Sequence, residues 1–249
     1  MAIELVEQLR SAGCVFAEDE AKLLRDVTDD DEVLQQLVSR RIRGEPLEYV
    51  VGFVEFLGDR YLLGPGVFIP RQRSTLLVHE AIRLGGRLIL DVCCGCGALG
   101  LATSRRLGAA LVSTDIEATA IAYARVNGVT DAHIGDLFAA VPRAHQGEVS
   151  LLIANTPYVP SGAVAAMPRE SRDYEPRSTV DGGADGMDIQ RRVLNEASLW
   201  LEPNGRLLTE TSRAQASDLC DVARAAGLEP RIVTDAELGA TVLVARLPS

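Results

Sequence analysis

Four short stretches of the sequence carry residue types that could do chemistry together. Asp91-Val-Cys93-Cys94-Gly95-Cys96-Gly97 follows the apolar run RLIL, and Asp115 closes LVSTD 24 positions after Asp91. Asp136-Leu137 follows AHIG, and Asn155-Thr156-Pro157-Tyr158 follows VSLLIA. Glycines at a strand-to-helix turn let a ligand lie against the backbone. A carboxylate at the end of the next strand can accept both hydroxyls of a ribose. An acid at 136 can accept an adenine amine, with Leu137 as an apolar ring contact. At 155 an asparagine side chain and the carbonyl after it can accept both hydrogens of an NH2 group, which orients the nitrogen lone pair. Tyr158 can wall that pocket and stack on a planar group. Gly95, Gly97 and Gly100 also satisfy GxGxxG, so a nicotinamide ligand must be weighed, and each aspartate alone would serve as a helix cap. Taken in order, the set reads as an adenosine ligand beside an amine.

The elements that must hold these residues are legible as patterns. Up to about Gly44 apolar residues recur at helical spacing (Ile3, Val6, Leu9; Leu23, Leu24, Val27; Val33, Leu34, Leu37, Val38, Ile42), with a helix start expected at Thr28 or Asp29. VVGFVEFLG and RYLLG read as short strands with a turn at Gly58-Asp59. From Arg87 apolar runs alternate with helical stretches, which predicts a parallel sheet covered on both faces. Helices are expected over 188–201 and 214–226, the second closed by Gly227, and strands over 206–210, 229–233 and 241–246. The division is therefore a helical domain at 1–48, a β-hairpin linker at 49–70 and a ligand-binding domain at 71–249.

Composition bounds the reading. The 249 residues, 47% hydrophobic and 24% charged, suit a globular chain with a substantial core. No apolar run reaches the roughly 20 residues of a membrane span, and the charged start MAIELVEQLR is unlike a signal peptide, so a cytoplasmic protein is expected. Five cysteines, three of them within one tetrapeptide, are poor disulfide or zinc spacing, and neither a bound metal nor a reactive thiol is expected. His79, His133 and His145 are scattered and suggest no hydrolase set, and Trp200 reads as core. The net charge of −10 disfavours a nucleic-acid backbone as partner. Residues 1–64 hold 14 Asp/Glu against 7 Lys/Arg, so the acidity is concentrated in the helical domain.

The triplet of Asp91-x-x-x-Gly95-x-Gly97, Asp115 and Asp136 resembles the S-adenosylmethionine (SAM) site of class I methyltransferases. Phe68-Ile-Pro70-Arg71, Asn155-Thr-Pro157-Tyr158, Asp173-Tyr-Glu175-Pro176 and Asp181-Gly-Gly-Ala-Asp-Gly186 extend the likeness over nearly the whole chain to the protein-(glutamine N5) methyltransferases that modify peptide-chain release factors. The resemblance implies a Rossmann-like α/β fold, with seven strands of which the last is antiparallel. It assigns Gly95, Asp115 and Asp136 to SAM, which leaves as S-adenosylhomocysteine, and Phe68, Pro70, Asp91, Cys93, Gly97, Ile116, Leu137 and Asn155 are expected around the same ligand. The resemblance also assigns Asn155 and Tyr158 to the acceptor amide; Thr156 and Pro157 are expected in the same catalytic loop, and Arg71 and Glu175 beside the acceptor.

Two departures stand out. The family's Asn-Pro-Pro-Tyr loop carries Thr156 here, which removes one rigid φ but keeps the backbone carbonyl. Where the family has an acid near the end of its Pro-Arg-Pro segment, this chain reads Pro70-Arg71-Gln72-Arg73-Ser74-Thr75. A protein glutamine is thus one acceptor, and a free guanidine compound such as arginine is another. The latter would need a carboxylate, for which Glu175, Asp173 and Asp185 are nearby. Adenine in nucleic acid is a third choice, and a non-catalytic SAM-binding protein is the alternative from another class.

Overall fold

A computed structural model describes residues 2–249; the side chain of Ile3 lies outside the described residues. Four helices come first, α1 (Ala2–Ser11), α2 (Ala17–Val27), α3 (Asp31–Ile42) and α4 (Leu47–Val51). They close over their own apolar cluster, which includes Leu5, Leu9, Leu24, Leu34 and Val38. The cap of α3 is Asp30 rather than Thr28 or Asp29. Its carboxylate accepts from the backbone N–H groups of Glu32 and Val33 at 2.8 and 3.2 Å, satisfying donors that a helix start leaves free. Helix α4 crosses the boundary expected at residue 48. Pro46 precedes its first residue and left-handed Gly52 (φ 84°) ends it, and these two stops outweigh the strand preference of Tyr49, Val50 and Val51.

The hairpin consists of β1 (Phe53–Phe56) and β2 (Asp59–Leu62). Its turn is Leu57-Gly58, both left-handed at φ 52° and 83°, and Asp59 pairs with Phe56 instead of lying in the turn. Two left-handed residues give the twist that a two-residue hairpin needs. Asn127 fastens this hairpin to the main body. Its side-chain oxygen accepts from the Leu62 N–H at 2.7 Å and its amide donates to the Leu62 carbonyl at 2.8 Å.

The main sheet has seven strands: β3 (Leu88–Val92), β4 (Ala110–Asp115), β5 (Asp131–Ile134), β6 (Val149–Ala154), β7 (Leu201–Glu210), β8 (Glu229–Asp235) and β9 (Ala240–Arg246). Their order is β5-β4-β3-β6-β7-β9-β8, and only β9 runs antiparallel to its neighbours. This is the mostly parallel α/β sheet that the alternating pattern predicts. Strand β7 starts five residues earlier than expected. It pairs with β6 at Leu201 and again at Arg206, with Pro203-Asn204-Gly205 displaced between and Asn204 left-handed at φ 66°. Helices α5 (Thr75–Leu84), α6 (Ala98–Leu107), α7 (Ala118–Asn127), α8 (Arg169–Tyr174), α9 (Asp188–Trp200) and α10 (Ala216–Ala225) cover the faces and edges. Trp200 is buried and stacks on Phe138 with ring centroids 5.6 Å apart.

The chain runs outward from β3 through β4 to β5, then returns to the other side of β3 as β6. Strand order reverses at the β3–β6 pair, which opens a crevice beyond their carboxyl ends. Asp91 and Asn155 sit at that opening. His133 and His145 lie away from it beside Asp131, and His79 is on the exposed side of α5.

Candidate active site

The loop after β3 is shaped by backbone that most residues avoid. Cys93, Gly95 and Gly97 are left-handed at φ 57°, 56° and 81°. The Gly95 N–H donates to Asp115 Oδ2 at 2.8 Å, and the Glu117 N–H donates to Asp115 Oδ1 at 2.9 Å. The loop after β3 and the start of α7 therefore hang on one carboxylate. Gly97 does not reach the cavity; it caps α6, and a Cβ there would come within 2.8 Å of Val129. Gly100 does more than complete a glycine pattern. Its N–H donates to Asp91 Oδ2 at 3.0 Å, and a Cβ would fall 2.6 Å from that same oxygen. Only glycine lets α6 approach Asp91 this closely.

These residues enclose a cavity of about 290 Å³. Phe68, Pro70, Asp91, Cys93, Gly95, Asp115, Ile116, Asp136, Leu137 and Asn155 all line it. Burial pushes the Asp91 carboxyl up to about 8, against the Gly100 N–H that favours its charge and with a further push from Asp115. Burial also raises Asp115. Among the described residues no Arg or Lys forms an ion pair with either. Asp136 is half-exposed and accepts from Arg192 at 2.8 Å, a wall residue the sequence reading missed. Leu137 is left-handed at φ 50°, costly for a branched side chain, with its carbonyl held by the Thr114 hydroxyl at 2.9 Å. Burial raises the Cys93, Cys94 and Cys96 thiols, Cys96 to about 12, so these line and pack the turn as neutral thiols.

Such a cavity suits one ligand chemistry better than another. Two under-paired carboxylates repel a pyrophosphate, which dinucleotide sites bind on a helix N-terminus, and welcome a ligand that carries sulfonium and ammonium charges. The residues present therefore fit SAM.

Asn155 to Tyr158 leave the end of β6. Gly182 and Gly186 let the loop over 181–186 press on this segment. A Cβ on Gly182 would lie 2.8 Å from the Pro157 carbonyl, and one on Gly186 2.4 Å from the Tyr158 carbonyl. Gln215 Nε2 also donates to the Tyr158 carbonyl at 3.0 Å. Thr156 is buried, its hydroxyl without a partner. A second cavity of about 330 Å³ opens here, lined by Arg71, Arg73, Thr156, Tyr158, Glu170 and Glu210 among others. Phe68, Asn155, Pro157 and Thr179 line both cavities.

Glu175 lines neither. It is buried and accepts from Arg71 at 2.5 Å and from the Ile69 N–H at 3.0 Å, so it fixes the Phe68–Arg71 segment. Asp173 pairs with Arg172 and Arg169, and Asp185 with Arg191. All three carboxylates offered to a guanidinium are thus already engaged. The sequence reading did not single out Glu210, on which Arg73 and Tyr158 converge at 2.7 and 2.6 Å.

The sheet order, the crevice at its reversal and the acid-lined cavity against a glycine turn define a class I SAM-dependent methyltransferase. Residues 65–167 match the family model described as the methyltransferase small domain. The chain is 35% identical over 185 residues to a release factor glutamine methyltransferase of Geobacter sulfurreducens, a match covering 72% of this chain and 65% of that protein. It is 31% identical over 265 residues to one of Bifidobacterium longum, covering 88% and 89%. The chain therefore belongs to the release factor glutamine methyltransferase family, and its cofactor is SAM. A methyltransferase structure from Pyrococcus furiosus shares the fold at a TM-score of 0.60 and 14% identity, over 78% of this chain and 91% of that one. Among the described residues no helix is long and apolar enough to cross a membrane.

Proposed function

We propose that this chain methylates the side-chain amide nitrogen of a glutamine in a polypeptide, a release factor being the acceptor that its relatives' names point to. The observation that carries the reading is the wall shared by the two cavities: Asn155 borders both the cofactor side and the acceptor side. SAM supplies an electrophilic methyl group on a sulfonium. Asn155 Oδ1 and the Thr156 carbonyl accept the two amide hydrogens and turn the nitrogen toward the cofactor cavity. Tyr158 walls the amide plane. Asp115 would hold the ribose hydroxyls, Asp136 and Leu137 the adenine, and Asp91 the ammonium end. Transfer would be an in-line displacement in which the N–CH3 bond forms as the S–CH3 bond breaks, S-adenosylhomocysteine leaves and the amide nitrogen gives one proton to solvent. These residues therefore work by positioning and charge complementarity rather than by covalent chemistry.

A neutral acceptor is favoured over a guanidinium by the pairing of the acceptor cavity's acids. Glu170 is taken by Arg41 at 2.6 Å and Glu210 by Arg73 at 2.7 Å, while Arg71 and Arg73 bring positive charge to the same wall. A third guanidinium would find no free carboxylate. The test incubates the purified protein with methyl-labelled SAM and, in parallel, a release factor and free amino acids including arginine and glutamine. Label on a release-factor glutamine is the expected outcome; label on free arginine, or on none of them, overturns the reading.

A further inference from the structure

We propose that Glu210 is a positioning residue for methyl transfer, acting through Tyr158 and Arg73; the proposal rests on the reading of the second cavity as the acceptor side. Glu210 is the last residue of β7 and is buried. Its Oε1 accepts from the Tyr158 hydroxyl at 2.6 Å and from Arg73 Nε at 2.7 Å, and its Oε2 accepts from the Ser74 hydroxyl at 2.6 Å. Its backbone carbonyl accepts from Gln190 Nε2 at 2.8 Å, so the carboxylate stands on a fixed strand end. One side chain thereby ties the segment after Pro70 to the loop after β6, two stretches more than 80 residues apart in sequence.

Tyr158 is held at both ends, its carbonyl by Gln215 and its hydroxyl by Glu210, which leaves the ring little freedom to tilt. Arg73 lies 5.7 Å from the ring centroid on the same carboxylate. Burial and the neighbouring Glu210 charge push the Tyr158 hydroxyl up, so it stays a hydrogen-bond donor and takes no proton from the substrate. Its contribution is the plane it presents. Glu210 borders the acceptor cavity and a further cavity of about 440 Å³ beyond Tyr158, and is absent from the lining of the cofactor cavity. Loss of Glu210 therefore misaligns the acceptor and spares SAM. The Arg73 that pairs with it stands in the segment where the resemblance places an acid.

The experiment compares Glu210→Ala, Glu210→Gln, Tyr158→Phe and the Glu210→Ala/Tyr158→Phe double variant. Glu210→Ala should lower kcat about 30- to 100-fold, the size of effect that a displacement near 1 Å brings, with SAM affinity within about twofold of wild type. Glu210→Gln, which keeps an oxygen for the tyrosine, should recover most of that loss. The double variant should be no worse than Glu210→Ala, because both changes act on one contact. Enzyme labelled with 3-fluorotyrosine should show a 19F resonance, identified by its loss in Tyr158→Phe, that shifts in Glu210→Ala. Should the alanine variant not fold, Glu210→Asp, which keeps the charge but withdraws it, carries the same comparison. The proposal falls if the Tyr158 resonance stays in place, if Glu210→Gln is as damaged as Glu210→Ala, or if the double variant multiplies the two losses. The 19F measurement needs no acceptor, so it judges the hold of Glu210 on Tyr158 even if wild type leaves glutamine unmodified, a result that would count against the proposed function alone.

Discussion

The two cavities on either side of Asn155 are built on opposite electrostatic plans. On the cofactor side Asp91 and Asp115 bond to backbone N–H groups, and burial leaves both with raised pKa values. On the proposed acceptor side every lining carboxylate already has its arginine, Glu170 with Arg41 and Glu210 with Arg73. A buried acid without a cation is a demand for one, while a paired acid is a wall. The contrast teaches which reactant brings positive charge: the cofactor does, and the proposed amide does not.

That contrast is broken most completely at the shared wall. Asn155→Ala should lower the transfer rate roughly 10³-fold, as loss of a positioning hydrogen-bond group does, while calorimetry finds SAM affinity near wild type. Equal loss of both would show that Asn155 belongs to the cofactor side only. Next comes Asp115→Ala, which should weaken SAM by about 1–3 kcal/mol through lost ribose and loop contacts. Unchanged SAM affinity would refute that role.

Asp91→Asn sharpens the comparison through pH. The folded-state pKa is raised from 3.8 to about 8, so this group's share of stability is fully present below the unfolded value and lost as pH rises through about 8. Removing the charge should therefore make the free protein melt higher than wild type above that pH, by roughly 2–4 °C for each kcal/mol recovered. At a fixed pH of about 7, where the SAM ammonium is still charged, the variant should bind SAM more weakly than wild type. A variant that binds SAM as tightly as wild type at that pH would be decisive against the cationic-ligand account. The smallest effect belongs to Glu170→Gln, which opens the half-exposed pair with Arg41 at the acceptor wall. A rise in acceptor KM of less than about fivefold is expected, since such pairs contribute of the order of 1 kcal/mol, with no change in SAM affinity.

The same contrast explains what the sequence disclosed. The cofactor side is made of local signals: glycines within a few residues of Asp91, and aspartates at successive strand ends, all readable once the strand-helix alternation is seen. The acceptor side is assembled by pairs far apart in the chain, Arg71 with Glu175, Arg41 with Glu170 and Arg73 with Glu210, and no spacing rule brings such partners together. Glu210 had no local cue beyond its place at the end of an apolar run. Glycine roles were legible only by conformation. Gly100, Gly182 and Gly186 are required by close approach of distant atoms, which a single sequence does not display. In the fold, α4 and the Leu57-Gly58 turn were missed because strand preference and the neighbouring aspartate outweighed Pro46, Gly52 and the twist rule in a reading by residue type.

The side-chain amide of Asn127 has a consequence beyond holding the hairpin. By giving and taking one hydrogen bond at Leu62 it imitates the backbone of a neighbouring strand, so at that point β2 has no free edge. A two-stranded ribbon is otherwise an invitation to add a third strand from another molecule. Here one helix-borne amide occupies the outer edge of β2 at Leu62.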